Sequence, residues 1–206
     1  MVRTNKQVWR KKWNDRREPV NAFARTVLRR LGDGRGRTLL DVGCGIGRDS
    51  VFFATNGYRV TATDFSESGI AALEAGKQRR GLNMRTMLHD TSKRFPFPDG
   101  SFDIIYAHLS LHYFDDRSTR KVFAEMHRLL RKGGMFFVKC KSTDDAYYGK
   151  GDRVGPDTFR HGHVRHFFTK NYMTSVLQDF DILSLRRSSS FFHGKTSGFV
   201  AAIAKK

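Results

Sequence analysis

The sequence predicts an α/β protein with a Rossmann-like, seven-stranded, mostly parallel sheet and helices on both faces. Short apolar runs alternate with segments of helical periodicity, and a glycine cluster at 43–47 joins the first apolar run to a helix. Two further apolar runs near residue 206 are separated only by a short segment that contains Gly194, as an antiparallel pair requires. The 206 residues, 39% of them hydrophobic, suit one compact domain and leave no room for a second.

Two helices are predicted ahead of the first strand. From Gln7 the pattern is helical, with Trp9 and Trp13 four residues apart on one face. A second helix extends from about Pro19 to Leu31, with apolar residues at helical spacing. We therefore expect segment 1–34 to be a basic helical cover or arm.

Seven strands follow in the prediction, most of them separated by helices. The strands are Thr38–Val42, Tyr58–Thr63, Arg85–His89, Phe102–Ala107, Met135–Cys140, Ile182–Arg187 and Ser197–Ala204. The helices are a stretch from about 48 to 56, Ser66–Arg80, Ser118–Leu130 and one that Thr169 caps, ending at about Gln178. Segment 35–140 is then the ligand-binding core, 141–168 an irregular lid or binding loop, and 169–206 the terminal helix and antiparallel strand pair.

Charge is the unusual feature of the composition, because the formal net charge is +18. Residues 1–37 contain 12 Lys and Arg against 3 Asp and Glu. Such an excess favours polyanionic partners or anionic substrates, with a solubilising surface as the alternative. No apolar run is long enough to span a membrane and no secretory signal is evident, so a cytoplasmic location is expected. Cys44 and Cys140 have no metal-type spacing, and no metal site is predicted.

The glycine cluster predicts a ligand site. Gly43, Gly45 and Gly47 allow a ligand to approach the backbone closely, and the following helix offers free N–H groups. The third glycine comes one position too early for the dinucleotide pattern Gly-x-Gly-x-x-Gly, and Asp49 near the helix start disfavours a pyrophosphate. Asp64, at the end of the second strand, can accept both hydroxyls of a ribose. These features favour an adenosine compound other than a nicotinamide dinucleotide.

Several motifs resemble those of class I S-adenosylmethionine-dependent methyltransferases. They are segment 39–48, Asp64, His89-Asp90, segment 95–103 and segment 129–134, so the resemblance covers about residues 35–140. The residues at 47–50 and 56–58 are most similar to the tellurite-resistance type, with thiopurine methyltransferases as more distant relatives. The resemblance implies S-adenosylmethionine as cofactor, S-adenosylhomocysteine as product, and the strand order 3-2-1-4-5-7-6 with strand 7 antiparallel.

The resemblance also implies cofactor-binding roles. Asp41 and the three glycines would surround the methionine part of the cofactor, and Asp64 would hold the ribose. Asp90 would accept a hydrogen bond from the adenine amino group. The implied set is Trp9, Trp13, Asp41, Gly43, Gly45, Gly47, Arg48, Asp64, Phe65, Asp90, Thr91, Ala107 and His108. The two tryptophans are either a cofactor cover or an ordinary amphipathic helix face.

The candidates for the acceptor side lie beyond the fourth strand. A neutral nucleophile needs a base of suitable pKa, and His108, His112 and His166 are the candidates, although transfer by proximity alone is an alternative. His108 and His112 would share one side of the segment if it is helical. The candidate acceptor-binding residues are Tyr113, Asp144, Tyr147, Tyr148, Arg165, His166 and Phe167.

Three functions are compatible with these features. The first is methyl transfer to an O, N, S or heavier chalcogen atom of a small, anionic acceptor. The second is an RNA or ribosome-associated methyltransferase that uses Lys6–Arg17 and Arg25–Arg37 as a phosphate-binding arm. The third is a non-catalytic, cofactor-binding regulatory protein. The first is the prediction, because segment 107–110 lacks the motif of many base-methylating enzymes and segment 141–168 is rich in aromatic residues and histidines.

Overall fold

A computed structural model describes residues 20–192 and 194–206, and within them the chain forms five helices and ten strands. The predicted helix that contains Trp9 and Trp13 lies outside the described residues. The helices are α1 (Ala22–Leu31), α2 (Arg48–Thr55), α3 (Glu67–Arg79), α4 (Asp116–Leu129) and α5 (Lys170–Val176). The strands are β1 (Thr38–Val42), β2 (Arg59–Asp64), β3 (Arg85–Leu88), β4 (Phe102–His108), β5 (Leu130–Lys141), β6 (Asp152–Gly155), β7 (Thr158–His161), β8 (His163–His166), β9 (Asp181–Phe192) and β10 (Lys195–Lys205).

Seven of the strands form the main sheet, in the order β3-β2-β1-β4-β5-β10-β9. Strands β1 to β5 pair in parallel, whereas β10 is antiparallel to both of its neighbours. In the numbering of the seven predicted strands this order is 3-2-1-4-5-7-6, which confirms the predicted fold class and topology. The carboxyl ends of β1 to β5 therefore meet along one edge of the sheet.

Each face of the main sheet carries its own hydrophobic core, as a two-sided α/β protein requires. Helix α1 buries Phe23, Ala24 and Val27, which pack with Phe53 and Tyr106 on one face. On the other face, α4 and α5 pack against β5 and β10 through buried aromatic and aliphatic side chains. Within the described part of the chain, no helix is long and apolar enough to cross a membrane.

Polar caps fix where the helices begin, and this positions the loops that precede them. The side chains of Asn21, Ser66, Asp115 and Thr169 each accept a hydrogen bond from a backbone N–H in the first turn of the helix that follows. The predicted cap at Thr169 is therefore confirmed. Asp115 fixes the start of α4 next to the end of β4.

Segment 141–168 was predicted to be irregular, and that prediction is wrong. It contains a second, antiparallel sheet in the order β6-β7-β8. Each of its strands is only four residues long, and such short strands give too few alternations for a period of two to be recognised. Gly162, with a φ of 74°, makes the turn between β7 and β8.

The segment after β4 is not helical, so His108 and His112 do not lie on one side of a helix. Leu109 has a φ of 56°, which turns the chain sharply at the end of the strand. His108 stays in the sheet, whereas His112 is fully buried. The strands near the end of the chain are longer than predicted, because β9 and β10 form one extended hairpin.

Candidate functional site

A cleft of about 1710 Å³ opens at the carboxyl edge of the main sheet. We call one part of it the glycine half, which is lined by Gly43, Arg48, Asp64, Phe65, Asp90, Thr91, Ser92 and His108. The other part is the histidine half, which is lined by residues 109–110, 113–118, Arg120, 154–158, Arg160, His163, Val164, His166 and Tyr172. In parallel sheets this edge is where ligands bind.

Backbone hydrogen bonds to β2 fix the conformation of the glycine turn that follows β1. The N–H groups of Gly43 and Cys44 both donate to the Thr63 carbonyl at 2.8 and 2.9 Å, which ties the turn to β2. Gly43, Gly45 and Gly47 all have a positive φ. A Cβ at Gly43 would overlap the Ser110 side chain, which packs directly against the turn, so only glycine fits at this position.

Asp64 occupies the end of β2 between the two loops of the glycine half. Its carboxylate accepts from the N–H groups of Gly45 and Ser66, both at 2.8 Å, and these bonds fix its orientation. Burial raises its pKa, and the backbone donors oppose that shift. Asp90 follows β3 and lies in the same half of the cleft. Two acidic residues that follow strands thus line one cavity: Asp64, which the sequence pattern predicted, and Asp90, which the resemblance implied.

Asp41 lies below the turn rather than in the cleft. It is buried and accepts a hydrogen bond from the Ser50 hydroxyl. Burial and the nearby Asp49 raise the pKa of Asp41 to about 8, so its carboxyl group is protonated at neutral pH. Asp41 therefore binds α2 to β1 as a neutral hydrogen-bonding group.

Asp49 links the start of α2 to α1. It accepts from the Tyr106 hydroxyl at 2.9 Å and from the Asn21 amide. Asn21 also caps α1, so one end of that helix is fixed beside the cleft. An acidic residue in the first turn of α2 disfavours a pyrophosphate at the start of that helix.

The three candidate bases lie in different environments. His108 lines the cleft and stacks on Phe23 with a centroid distance of 5.9 Å. Burial, with Lys139 and Lys141, lowers the pKa of His108 to about 3. His112 lies behind the cleft, where neither ring nitrogen has a hydrogen-bond partner among the described residues, and burial lowers its pKa well below the usual range.

His166 is the candidate base that lines the histidine half. Its ring lies 4.3 Å from that of Tyr172, and its Nδ1 atom has no hydrogen-bond partner among the described residues. Burial lowers the pKa of His166, while Asp116 and Asp157 oppose that shift. The imidazole is therefore neutral at neutral pH and can accept a proton.

The predicted acceptor residues divide into two groups. Tyr113 and His166 line the cleft. The others support it from outside: Arg165 stacks on Tyr147 at 5.2 Å, Tyr148 and Phe167 pack edge-to-face at 5.6 Å, and Asp144 forms an ion pair with Arg187.

Several lining residues were not among the predicted site residues. They are Ser110, Arg117, Arg120, Asp157, Arg160, His163 and Tyr172. Arg117 and Arg120 share the first turns of α4, and His163 belongs to a visible histidine cluster, so both features were present in the sequence. Tyr172 comes from α5, and its hydroxyl donates to Asp116 at 2.8 Å across 56 residues of chain. No local pattern predicts that contact.

The glycine half fits S-adenosylmethionine by the chemistry of its donors and acceptors. Carboxylates at the ends of β2 and β3 can accept from ribose hydroxyls and from an adenine amino group, and Phe65 offers a ring beside them. The glycine turn leaves backbone exposed next to these groups. Across residues 20–192 and 194–206, no group of three or more His, Cys, Asp or Glu side chains is placed to hold a metal ion.

Comparisons with known proteins agree with this fit. Residues 39–134 match the family described as a methyltransferase domain. The demethylmenaquinone methyltransferase of Geobacillus kaustophilus is 34% identical over 131 residues, which cover 59% of this chain and 55% of that protein. A probable S-adenosyl-L-methionine-dependent methyltransferase TehB of Haemophilus influenzae is 31% identical over 108 residues, covering 52% of this chain and 37% of that protein.

Solved structures share the fold. TehB from Haemophilus influenzae superposes with a TM-score of 0.72 at 20% identity, covering 91% of this chain and 62% of that one. The 1,6-didemethyltoxoflavin-N1-methyltransferase of Burkholderia thailandensis, with bound 1,6-didemethyltoxoflavin and S-adenosylhomocysteine, gives 0.70 at 24% identity, covering 89% and 76%. The chain spans about half the length, or less, of the curated relatives named above. Residues 39–134 are therefore a class I S-adenosylmethionine-dependent methyltransferase domain, similar to that of TehB.

Proposed function

We propose that this chain transfers a methyl group from S-adenosylmethionine to a small, anionic acceptor in the histidine half of the cleft. The main support is that one continuous cleft of about 1710 Å³ contains two halves of different chemistry. Pockets for single small ligands occupy about 300 to 1,000 Å³, so this cleft has room for a nucleoside and an acceptor side by side.

The glycine half is assigned to the cofactor. Asp64 would accept from the ribose hydroxyls and Asp90 from the adenine amino group, with Phe65 and Thr91 beside the base. The glycine turn, with Arg48, Ala107 and His108, would hold the methionine part, and protonated Asp41 supports the turn from below. A cover by Trp9 and Trp13 stays a prediction from the sequence.

Cations in the histidine half support an anionic acceptor. Three arginines line it, and Arg120 is paired with Asp116. The other two, Arg117 and Arg160, form no ion pair with another described residue. Asp157 accepts from Tyr148 and Asp115 caps α4, so neither carboxylate is used to neutralise those two arginines. Both guanidinium groups are available to an acid group of the acceptor.

The chain's own groups can align the acceptor and remove its proton. The cofactor supplies an electrophilic methyl group on a sulfonium, and in-line displacement depends mainly on the alignment of the reacting atoms. Tyr113, His163 and Tyr172 form the walls that orient the acceptor. His166 lines the cleft with a neutral imidazole, and it is the residue that would accept the proton of an O–H, N–H or S–H nucleophile.

Two measurements test the proposal. Calorimetry should show that S-adenosylhomocysteine binds the chain and that Asp64→Asn weakens its affinity about 30-fold or more, because truncating a buried, hydrogen-bonded charge costs about 2 kcal/mol or more. Binding of a nicotinamide dinucleotide in place of S-adenosylhomocysteine would overturn the cofactor assignment. Labelled S-adenosylmethionine should then methylate members of a panel of small carboxylates, phenolates, thiols and chalcogen oxyanions. Labelling of cellular RNA alone would overturn the acceptor assignment.

A further inference from the structure

The amino edge of the main sheet, opposite the cleft, concentrates positive charge. Parallel strands start there, helices end there, and the antiparallel β10 ends there. We define the basic edge as the fourteen Lys and Arg residues at these positions: Arg29, Arg30, Arg35, Arg37, Arg59, Lys77, Arg79, Arg80, Arg85, Arg128, Arg131, Lys132, Lys205 and Lys206. The acidic residues at the same edge are Asp33, Glu74, Asp99, Asp103, Glu125, Asp179 and Asp181.

The cleft has no comparable excess. Its lining contains four arginines and five aspartates, which are Arg48, Arg117, Arg120, Arg160, Asp64, Asp90, Asp115, Asp116 and Asp157. The basic edge has twice as many cations as acids, and most of its cationic side chains are exposed. The positive charge of the described chain is therefore concentrated away from the proposed acceptor site.

Helix stabilisation explains only part of this charge. Cations in the last turn of a helix interact favourably with the helix dipole, and this accounts for Arg29, Arg30, Lys77, Arg79 and Arg128. It does not account for the exposed cations at the ends of strands, such as Arg59, Lys132 and Lys205. These side chains extend the positive surface across the sheet, whose strands are about 4.8 Å apart.

The composition of the basic edge indicates the partner. Ten of its fourteen cations are arginines, and a planar guanidinium group can bind phosphate oxygens in a bidentate manner. Arg37 and Arg128 are partly buried and bonded within the chain, so the groups that would bind phosphate are the exposed ones, such as Arg30 and Arg79. Of the five large hydrophobic side chains that are exposed in the described chain, only Leu183 lies near this edge. The edge therefore lacks the apolar face that inserts into a membrane and the aromatic platform that stacks single-stranded bases.

We propose that the basic edge binds the phosphate backbone of a double-helical nucleic acid. The nucleic acid would not be the methyl acceptor there. Helix α1 illustrates the separation of the two sites. Asn21, at its start, contacts Tyr106 beside the cleft, whereas Arg29 and Arg30 lie about 12 to 14 Å further along the helix. The interaction places the enzyme on a nucleic acid and leaves the cleft open to small molecules.

A matched pair of variants tests this proposal. Arg30, Arg79, Lys132 and Lys205 are exposed and their side chains bond to no other described residue, and changing all four to Gln removes four charges from the edge. The control changes four exposed lysines elsewhere to Gln, namely Lys93, Lys121, Lys150 and Lys170. Binding to fluorescent 20-base-pair RNA and DNA duplexes is measured by anisotropy as a function of salt. Thermal melting checks the fold, and S-adenosylhomocysteine binding is measured in parallel.

The edge variant should bind the duplex at least about tenfold more weakly than the control variant. The slope of the logarithm of the binding constant against the logarithm of the salt concentration should also be smaller by about 0.9 for each phosphate that the edge no longer neutralises. Both variants should bind S-adenosylhomocysteine like the parent chain, so failure of the cofactor assignment is a separate outcome. The RNA and DNA arms show which duplex is preferred. Equal weakening by the two variants, no weakening, or edge-dependent binding to phosphatidylserine vesicles without duplex binding would overturn the proposal.

Discussion

The two halves of the cleft are built in different ways. In the glycine half, loops that follow adjacent parallel strands place Gly43, Asp64 and Asp90 side by side, and each loop is short. In the histidine half, residues from the loop after β4, from α4, from the small second sheet and from α5 come together. The first half depends on local sequence and strand order, and the second depends on packing between distant segments.

The glycine half is therefore fixed mainly by backbone hydrogen bonds, and the histidine half mainly by side-chain contacts. Backbone N–H groups of Gly45 and Ser66 orient the key carboxylate in the glycine half. Side-chain contacts fix the histidine half, such as the Tyr172 hydroxyl on Asp116 and the Tyr148 hydroxyl on Asp157. We therefore expect the glycine half to tolerate few backbone changes and the histidine half to accept a range of side chains that alter acceptor choice.

The largest effect should come from the neutral imidazole in the histidine half. His166→Gln should lower kcat about 10²- to 10⁴-fold with little change in S-adenosylhomocysteine affinity, because the variant loses a general base but keeps every cofactor-binding group. In the parent chain kcat should fall as the pH drops through the lowered His166 pKa, below 6.5, because the protonated ring cannot accept a proton. Steady-state rates from pH 5 to 8 check both points.

The matched control is His127→Gln, which changes a histidine that packs on Phe180, away from the cleft. It should leave both kcat and the pH profile unchanged. If His166→Gln keeps the parent rate and its pH dependence, alignment alone carries the reaction and the base assignment is wrong.

The second effect concerns the carboxyl group beneath the glycine turn. The pKa of Asp41 is raised from 3.8 to about 8 in the folded chain, so the folded state holds a proton that the unfolded state loses. The stability contributed by this proton is complete below pH 3.8 and is lost as the pH rises to about 8. The Asp41→Asn side chain cannot titrate. At pH 8 the free energy of unfolding of this variant should therefore be about 2 to 4 kcal/mol higher than that of the parent, and at pH 4 the two should be equal. Urea unfolding at both pH values checks this.

Two outcomes would contradict this account of Asp41. A stability gain that is the same at pH 4 and pH 8 would assign the effect to packing instead of protonation. A loss at pH 8 would mean that the carboxyl group is ionised and needed as an anion. S-adenosylhomocysteine affinity, measured on the same samples, shows whether the turn keeps its shape.

Sequence reasoning could predict the glycine half because its determinants are local. Residues 38–64 contain a strand, the glycine turn, a helix and a second strand that ends in an acidic residue. Each of these features has a recognisable sequence pattern. The topology of the main sheet follows from the same alternation. The predicted role of Asp64 followed from its position at the end of the second strand, whereas that of Asp90 was implied by the family resemblance, and both residues line one cavity.

The histidine half was harder to predict, for physical reasons. The positive φ of Leu109 breaks the segment after β4, although leucine rarely adopts that conformation and gives no warning in the sequence. The strands β6 to β8 are too short to show a period, and the contact between Tyr172 and Asp116 depends on the packing of α5 against α4. Packing between distant segments decides which of several histidines faces the cleft.

The third effect tests the glycine turn. In Gly43→Ala the added Cβ would overlap the Ser110 side chain, and an L residue is strained at a φ of 72°. We expect about 10- to 30-fold weaker binding of S-adenosylhomocysteine by calorimetry. The control is Gly81→Ala, which has a φ of 60° with nothing within 4 Å of the added Cβ, so it carries the strain without the overlap. Equal loss in both variants would mean that general destabilisation by a strained residue, and not the shape of the glycine turn, weakens binding.

The smallest effect should come from the second sheet, and it separates the two halves. A Cβ at Gly151 would overlap the Arg160 carbonyl on β7, whereas one at Gly162 would meet nothing within 4 Å, and both glycines have a positive φ. Gly151→Ala should therefore displace β6 from β7 and raise the acceptor KM about three- to tenfold relative to Gly162→Ala, while S-adenosylhomocysteine affinity stays the same in both. We expect the acceptor KM to change without a change in cofactor affinity because the second sheet contributes lining residues to the histidine half only. If the affinity for S-adenosylhomocysteine also fell in Gly151→Ala, the two halves would be energetically coupled. They would then differ in their sequence patterns but not in their stability.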